Sequence, residues 1–149
     1  MYKTMLVFDS YELSAAVRRL HIWGESSGFE ITDIVNDGIT AYKKMKKNHY
    51  DLVITEIRIT GMDGLQLLRC AGKEGLCSHV VLCSEFPDFN YARQGIILGA
   101  FDYCVMPFEE SLFFSMFSRI KNEDFENEAE ALYYTDEITA LFESRSKAI

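Results

Sequence analysis

Residues 51–64 read DLVITEIRITGMDG. After Asp51, LVIT is an apolar run rich in β-branched residues, the pattern of a strand buried on both faces. The run stops at Glu56, a lone carboxylate at the strand's end. GMDG (61–64) then supplies turn residues and opens a helix near 64–72. This succession of strand, polar strand end, loop and helix decides the fold, because it recurs along the chain.

Upstream, TMLVFD (4–9) is a short apolar run that also ends in an acid. Residues 11–27 carry Leu13, Ala16, Val17, Leu20 and Trp23 at helical spacing, with Gly28 as the stop. FEITDIV (29–35) alternates like a half-exposed edge strand. NDG (36–38) is a turn, and 39–48 read as a short helix with a lysine-rich outer face. Downstream, HVVLCS (79–84) is a fourth strand, 88–98 a helix ending at Gly99, and DYCVM (102–106) a fifth strand stopped by Pro107. A further helix is expected from Glu109, with Leu112, Phe113, Met116, Phe117 and Ile120 on its buried face and Phe114 off it. Strands alternating with helices predict an α/β fold with a parallel sheet covered on both sides. The expected form is flavodoxin-like (βα)5, doubly wound, with five strands in the order 2-1-3-4-5.

Residues 121–149 differ in character. They hold eight acids against three bases, with Phe125, Ala129, Leu132, Ile138 and Leu141 at roughly helical intervals. One or two helices are expected, as an acidic tail or linker following a domain of residues 1–120.

Composition limits the function. Of 149 residues, 48% are hydrophobic and 26% charged, enough apolar material for a core. The net charge of −8 argues against direct nucleic-acid binding, which needs clustered Lys and Arg. No apolar run approaches the ~18 residues of a membrane span, and the N-terminus has no secretion-signal pattern. Cys70, Cys77, Cys83 and Cys104 form no CxxC pair; they read as buried thiols in a reducing cytosol rather than as a zinc site. His21, His49 and His79 lack ligand or catalytic spacing and are expected at surfaces or strand edges, with Trp23 in the core.

Ligands of open parallel sheets sit beyond the carboxyl ends of the strands. Those ends carry Asp9 and Ser10, Glu56, Ser84, and Met106 before Pro107. In the order 2-1-3-4-5, Asp9 and Glu56 share a crevice. Two carboxylates there repel unless a cation intervenes; Mg²⁺ on Asp9 and Glu56 is one candidate, Arg58 another, and simple solvation the plain alternative.

Three segments carry a resemblance. VFDS (7–10), YDLVITEIRITGMDGLQLL (50–68) and VVLCSEFPDFNYARQGIILGAFDYCVMPF (80–108) resemble the acidic segment, the phosphoacceptor strand with its loop, and the switch segment of bacterial response regulator receiver domains. The wording is most similar to receivers joined to AraC-type DNA-binding domains. The resemblance implies a cytoplasmic signalling module of two-component systems and transcriptional regulation, not an enzyme. It implies a histidine kinase or regulatory protein as partner, and a homodimer through the face of the fourth helix, fifth strand and fifth helix, where Tyr91, Tyr103 and Phe114 would contribute.

The departures from that pattern are specific. Glu56 stands where the resemblance places the phosphoacceptor aspartate, Ser10 where it places a second acid, Met106 where it places a lysine, and Thr60 where it places a loop proline. Ser84 and Tyr103 keep the switch pattern. A longer side chain displaces the attacking oxygen, and ~1 Å of displacement costs about 10²-fold in rate. Loss of a charge-stabilising donor costs about another 10²–10³-fold. Deleting one acid and one base together leaves the formal charge of the crevice unchanged. The expectation is a degenerate receiver needing no cofactor and binding Mg²⁺ weakly if at all, with Glu56 either imitating a phosphorylated state or fixing an inactive scaffold. The alternatives are a conventional receiver phosphorylated at Glu56 or Asp9, and a flavin-binding flavodoxin-like protein, for which DSYELSA is a poor phosphate loop.

Overall fold

The computed structural model describes residues 1–148; in the last helix the side chains of 131, 133–138 and 141–148 are outside the description, including those of Ile138 and Leu141. The elements run β1 (Tyr2–Val7), α1 (Tyr11–Arg18), β2 (Phe29–Val35), α2 (Gly38–Lys47), β3 (Leu52–Glu56), α3 (Gly64–Glu74), β4 (Val80–Ser84), α4 (Phe89–Ile97), β5 (Asp102–Val105) and α5 (Glu110–Ala148). The five strands are all parallel, in the order β2-β1-β3-β4-β5. This is the doubly wound fold expected from the alternation of elements.

Burial explains why the central strands read as unbroken apolar runs. Residues 52–57 are buried throughout, as are Met5–Phe8 and Val80–Cys83. Helices cover both faces of a parallel sheet, so each strand needs apolar residues on both sides. Register then sets the carboxyl edge: Glu56 of β3 pairs with Cys83 of β4, and Cys83 with Cys104 of β5. All four cysteines are free thiols.

Helix starts are fixed by side-chain caps. Ser10, Asp37, Asp63 and Asp88 each accept a hydrogen bond from the backbone N–H three residues on, which satisfies an otherwise orphaned donor. At α3 the cap is reciprocal: Gln66 Oε1 accepts from Asp63 N at 2.9 Å. Two glycines permit close approach beside the site. A Cβ on Gly64 would lie 2.4 Å from Glu56 O, and one on Gly38 would lie 1.7 Å from Met62 O.

Five local expectations are corrected. Helix α1 ends at Arg18, although apolar spacing continues to Trp23. The chain turns there, and the Trp23 indole N–H donates to Val17 O at 3.0 Å, taking up a carbonyl at the helix end; Trp23 is half-buried rather than core. Helix α5 begins at Glu110, and Leu112 is 56% exposed rather than on the buried face, whereas Phe113, Met116, Phe117 and Ile120 are buried. His79 is buried: its Nδ1 lies 3.1 Å from Asp51 O and its ring meets Phe101 edge-on.

The chain divides into two compact units, Met1–Phe114 and Ser115–Ile149. The acidic stretch is helical without a break, α5 spanning 39 residues. Its Phe125 and Leu132 are exposed. No helix among the described residues is long and apolar enough to cross a membrane.

Candidate functional site

Glu56 is the last residue of β3 and retains only 6% exposure. Parallel pairing of β1 with β3 brings the β1–α1 loop over it. Its Oε1 accepts the backbone N–H of Ser10 at 2.7 Å and also that of Asp9. One carboxylate oxygen is therefore clasped by two main-chain donors at the entry to α1. Such donors stabilise the charged form, but burial outweighs them. Desolvation raises the Glu56 carboxyl above its ordinary range, the Ser10 and Asp9 amides pull it back, and the negative charges of Asp9 and Glu85 push it up again.

Asp9 and Glu56 are neighbours, as the strand order predicts. Asp9 is exposed, and its Oδ2 accepts the Thr60 hydroxyl at 3.0 Å. Thr60 also bridges to Asp37, and its carbonyl accepts Gly38 N at 3.2 Å. The β3–α3 loop is thereby tied to both the β1–α1 and β2–α2 loops. Ser10 spends its side chain capping α1, accepting Leu13 N at 3.3 Å.

Across the edge, Ser84 and Tyr103 act together. Their hydroxyl oxygens lie 2.8 Å apart, the Ser84 hydroxyl is 2.7 Å from Phe86 O, and Tyr103 Oη accepts Asp88 N at 3.3 Å. This network closes on the β4–α4 loop and is not bonded to Glu56. Met106 follows β5, its N–H donating to Ser84 O at 3.1 Å, and precedes a cis peptide to Pro107. Arg58 does not neutralise the acids; its Nε donates to Tyr91 Oη at 3.2 Å and its guanidinium carbon lies 5.5 Å from the Tyr91 ring centroid.

A cavity of about 340 Å³ opens at this edge. It brings Ser10, Glu56 and Ser84 together, with Arg58, Glu85 and Phe86 added by the loops. Asp9, Tyr103 and Met106 do not line it. The parts of the site that sequence reasoning missed are the Thr60 hydroxyl on Asp9 and the acid at Glu85. Thr60 was visible only as a departure from the proline pattern, and Glu85 carried no spacing signal.

A family model for the response regulator receiver domain matches residues 5–118. The chain belongs to that family. This receiver is 28% identical over 120 residues to the transcriptional regulatory protein YesN of Bacillus subtilis (strain 168), covering 80% of this chain and 32% of YesN. It is 26% identical over 111 residues to the transcriptional regulatory protein HptR of Staphylococcus aureus (strain NCTC 8325 / PS 47), covering 74% and 43%. The chain thus spans less than half the length of these curated relatives. Among solved structures, its fold is similar to the REC domain of AraT, a response regulator from Geobacillus stearothermophilus (TM-score 0.72, 18% identity, 85% of this chain and 98% of that one). It is also similar to a DNA-binding response regulator of the LuxR family from Staphylococcus aureus (TM-score 0.70, 20% identity, 80% and 98%).

Receiver domains typically hold Mg²⁺ at this edge, and the donor set here fits it poorly. Mg²⁺ requires octahedral oxygen coordination with anionic donors free to face it. One oxygen of each carboxylate is already taken, Glu56 Oε1 by two N–H donors and Asp9 Oδ2 by Thr60, and Ser10 brings a hydroxyl that caps α1 rather than a carboxylate. Among the described residues no group of three His, Cys, Asp or Glu side chains is arranged to hold a metal ion.

Proposed function

We infer that this receiver works as an unphosphorylated signalling and protein-interaction module, in which Glu56 fixes the β1–α1 loop instead of accepting a phosphoryl group. The observation that carries this reading is the clasp of Glu56 Oε1 by the Asp9 and Ser10 amides. A phosphoacceptor oxygen must face its donor, and in-line attack tolerates little displacement. Here Oε1 is turned onto the backbone, which fixes the carboxylate's orientation and leaves only Oε2 open, on a side chain one methylene longer than aspartate. The lysine that would neutralise a transferring phosphoryl group is absent, with Met106 in its place.

Of the two forms of this reading, a fixed scaffold is favoured over imitation of the phosphorylated state. Ser84 bonds to Tyr103 and Phe86 rather than to Glu56, so the carboxylate does not draw the switch hydroxyl toward itself. The partner is a histidine kinase or another regulatory protein, met in the cytoplasm, and the output is transcriptional. Residues 1–120 serve as the receiver and 121–149 as an acidic helical linker; neither is basic enough to hold DNA itself. The exposed Leu112 and the 40% exposed Phe114 support a homodimer through the face of α4, β5 and α5.

The test is incubation with acetyl phosphate and Mg²⁺, read by intact mass. The expected result is unmodified protein under conditions that label an aspartate-bearing receiver. A phosphoryl adduct at substantial yield on Glu56 or Asp9 overturns the reading in favour of a conventional phosphoacceptor.

A further inference from the structure

Glu56 has a second oxygen. Oε1 takes both main-chain donors, and among the described residues Oε2 accepts no hydrogen bond. It is not sealed in: the only fully enclosed side-chain polar atom without a partner among the described residues is Thr4 Oγ1. Because Glu56 lines the 340 Å³ cavity, Oε2 retains access to that space. Glu56, buried as a residue, thus keeps one carboxylate oxygen without a hydrogen-bond partner at the cavity wall.

Among the described residues no cation pairs with it, although Arg58 stands at the cavity wall. Among the described residues neither Glu56 nor Glu85 forms an ion pair. Both line the cavity, and the charge of Glu85 acts on Glu56. Arg58 is drawn onto Tyr91 at the wall, and Met106 stands where an internal ammonium would be expected. Much of the remaining wall is apolar: Leu13, Ile57, Phe86, Pro87 and the Tyr91 ring. Phe86 is 72% exposed at present, so an apolar group seated beside it would remove aromatic surface from water.

We propose that this cavity binds an amphipathic organic cation, an ammonium or guanidinium carried on an apolar body, with the charge between Glu56 Oε2 and Glu85 and the body against Leu13, Phe86 and Pro87. The volume falls within the ~300–1,000 Å³ usual for small-molecule sites. An organic cation suits it better than Mg²⁺: it is weakly hydrated, needs no octahedral donor set, and gains from aromatic faces. The charge missing at Met106 is then supplied from outside. The proposal rests on Glu56 remaining unmodified, as the reading above holds. The same chemistry is available from a free amine or from a lysine side chain of a partner peptide.

The test is an amide NMR titration of the full chain with four probes: phenethylammonium, its neutral isostere 2-phenylethanol, Nα-acetyl-lysine methylamide, and MgCl₂ alone. Saturating shifts at Ser10, Ser84, Glu85 and Phe86 are expected with phenethylammonium or the lysine derivative, and none with the alcohol. Preference for phenethylammonium assigns a free amine; preference for the lysine derivative assigns a peptide. Glu56→Gln keeps an acceptor for the two amides and should weaken binding about tenfold or more, by loss of a charged acceptor. Glu85→Gln, at an exposed position, should weaken it about two- to threefold. Equal shifts from amine and alcohol, saturation by Mg²⁺ with none by either cation, no saturating response, or an undiminished response in Glu56→Gln overturns the proposal. Intact mass of the titrated sample separates the two readings: an unmodified chain that ignores the cations sinks this proposal alone, whereas failure of the unphosphorylated reading registers as an adduct after acetyl phosphate.

Discussion

The backbone N–H of Ser10 donates to Glu56 Oε1 at 2.7 Å, joining the start of α1 to the end of β3 through one carboxylate. The N–H of Asp9 converges on the same oxygen. Glu56 is thus a structural acceptor before it is anything else, and its removal should be felt in stability. Glu56→Ala leaves both donors without their acceptor and should cost about 1–3 kcal/mol in urea denaturation. Glu56→Gln, which keeps a carbonyl oxygen in place, should cost distinctly less.

The pH dependence follows from the raised Glu56 carboxyl. Between its ordinary value of 4.5 and its higher folded value, the native state binds more protons than the unfolded chain. Stability from this group is therefore fully present below 4.5 and falls as pH rises through the folded value. The stability of wild type relative to Glu56→Gln should decline over that window and level off above it. Denaturation at a series of pH values checks this, and a slope of opposite sign would mean that the two amides outweigh burial.

Close approach at Gly64 makes a second region sensitive. A Cβ there meets Glu56 O at 2.4 Å and Ile57 Cα at 2.9 Å, both backbone atoms that cannot rotate away. Gly64→Ala should destabilise the fold by about 1–3 kcal/mol. It should also shift the Glu56 and Ser10 amide resonances, because the strand end that carries the clasp must move.

Tyr103→Phe removes one hydroxyl from the network of Ser84, Phe86 and Asp88. The Asp88 N–H loses its Tyr103 acceptor. The expected cost is about 0.5–1.5 kcal/mol, with faster amide exchange confined to residues 85–89. Hydrogen exchange by mass spectrometry reads both the size and the confinement of the effect.

Thr60→Val keeps the shape of the β3–α3 loop and deletes the hydroxyl bonded to Asp9. Because both partners are exposed, the stability change should stay below about 1 kcal/mol. The informative readout is Asp9 itself, whose carboxylate resonance should move while the Ser10 amide stays in place.

Much of this molecule was legible before any coordinates. The strand order followed from the alternation of strands and helices, and the apolar character of LVIT and HVVLCS is what burial on both faces demands. The end of α1 was not, because Leu20 and Trp23 continue a helical spacing through a segment that turns back under the indole–Val17 bond. His79 was misplaced because a polar residue can be buried when backbone carbonyls and an aromatic edge receive it. At the site, adjacency of Asp9 and Glu56 was readable from topology alone. The direction of the Glu56 carboxylate was not, since it is set by main-chain donors, which every non-proline residue carries.

That dependence on main-chain donors has a consequence for how much positions 9 and 10 can vary. The clasp asks nothing of the side chain at either position; it excludes only proline, which lacks the N–H. An acid can be exchanged for serine at position 10 without loosening the hold on Glu56, provided the new residue still caps α1. A pocket of this kind can therefore exchange the side chain at position 10 while its loop geometry stays in place, because the hold on Glu56 is carried by the backbone.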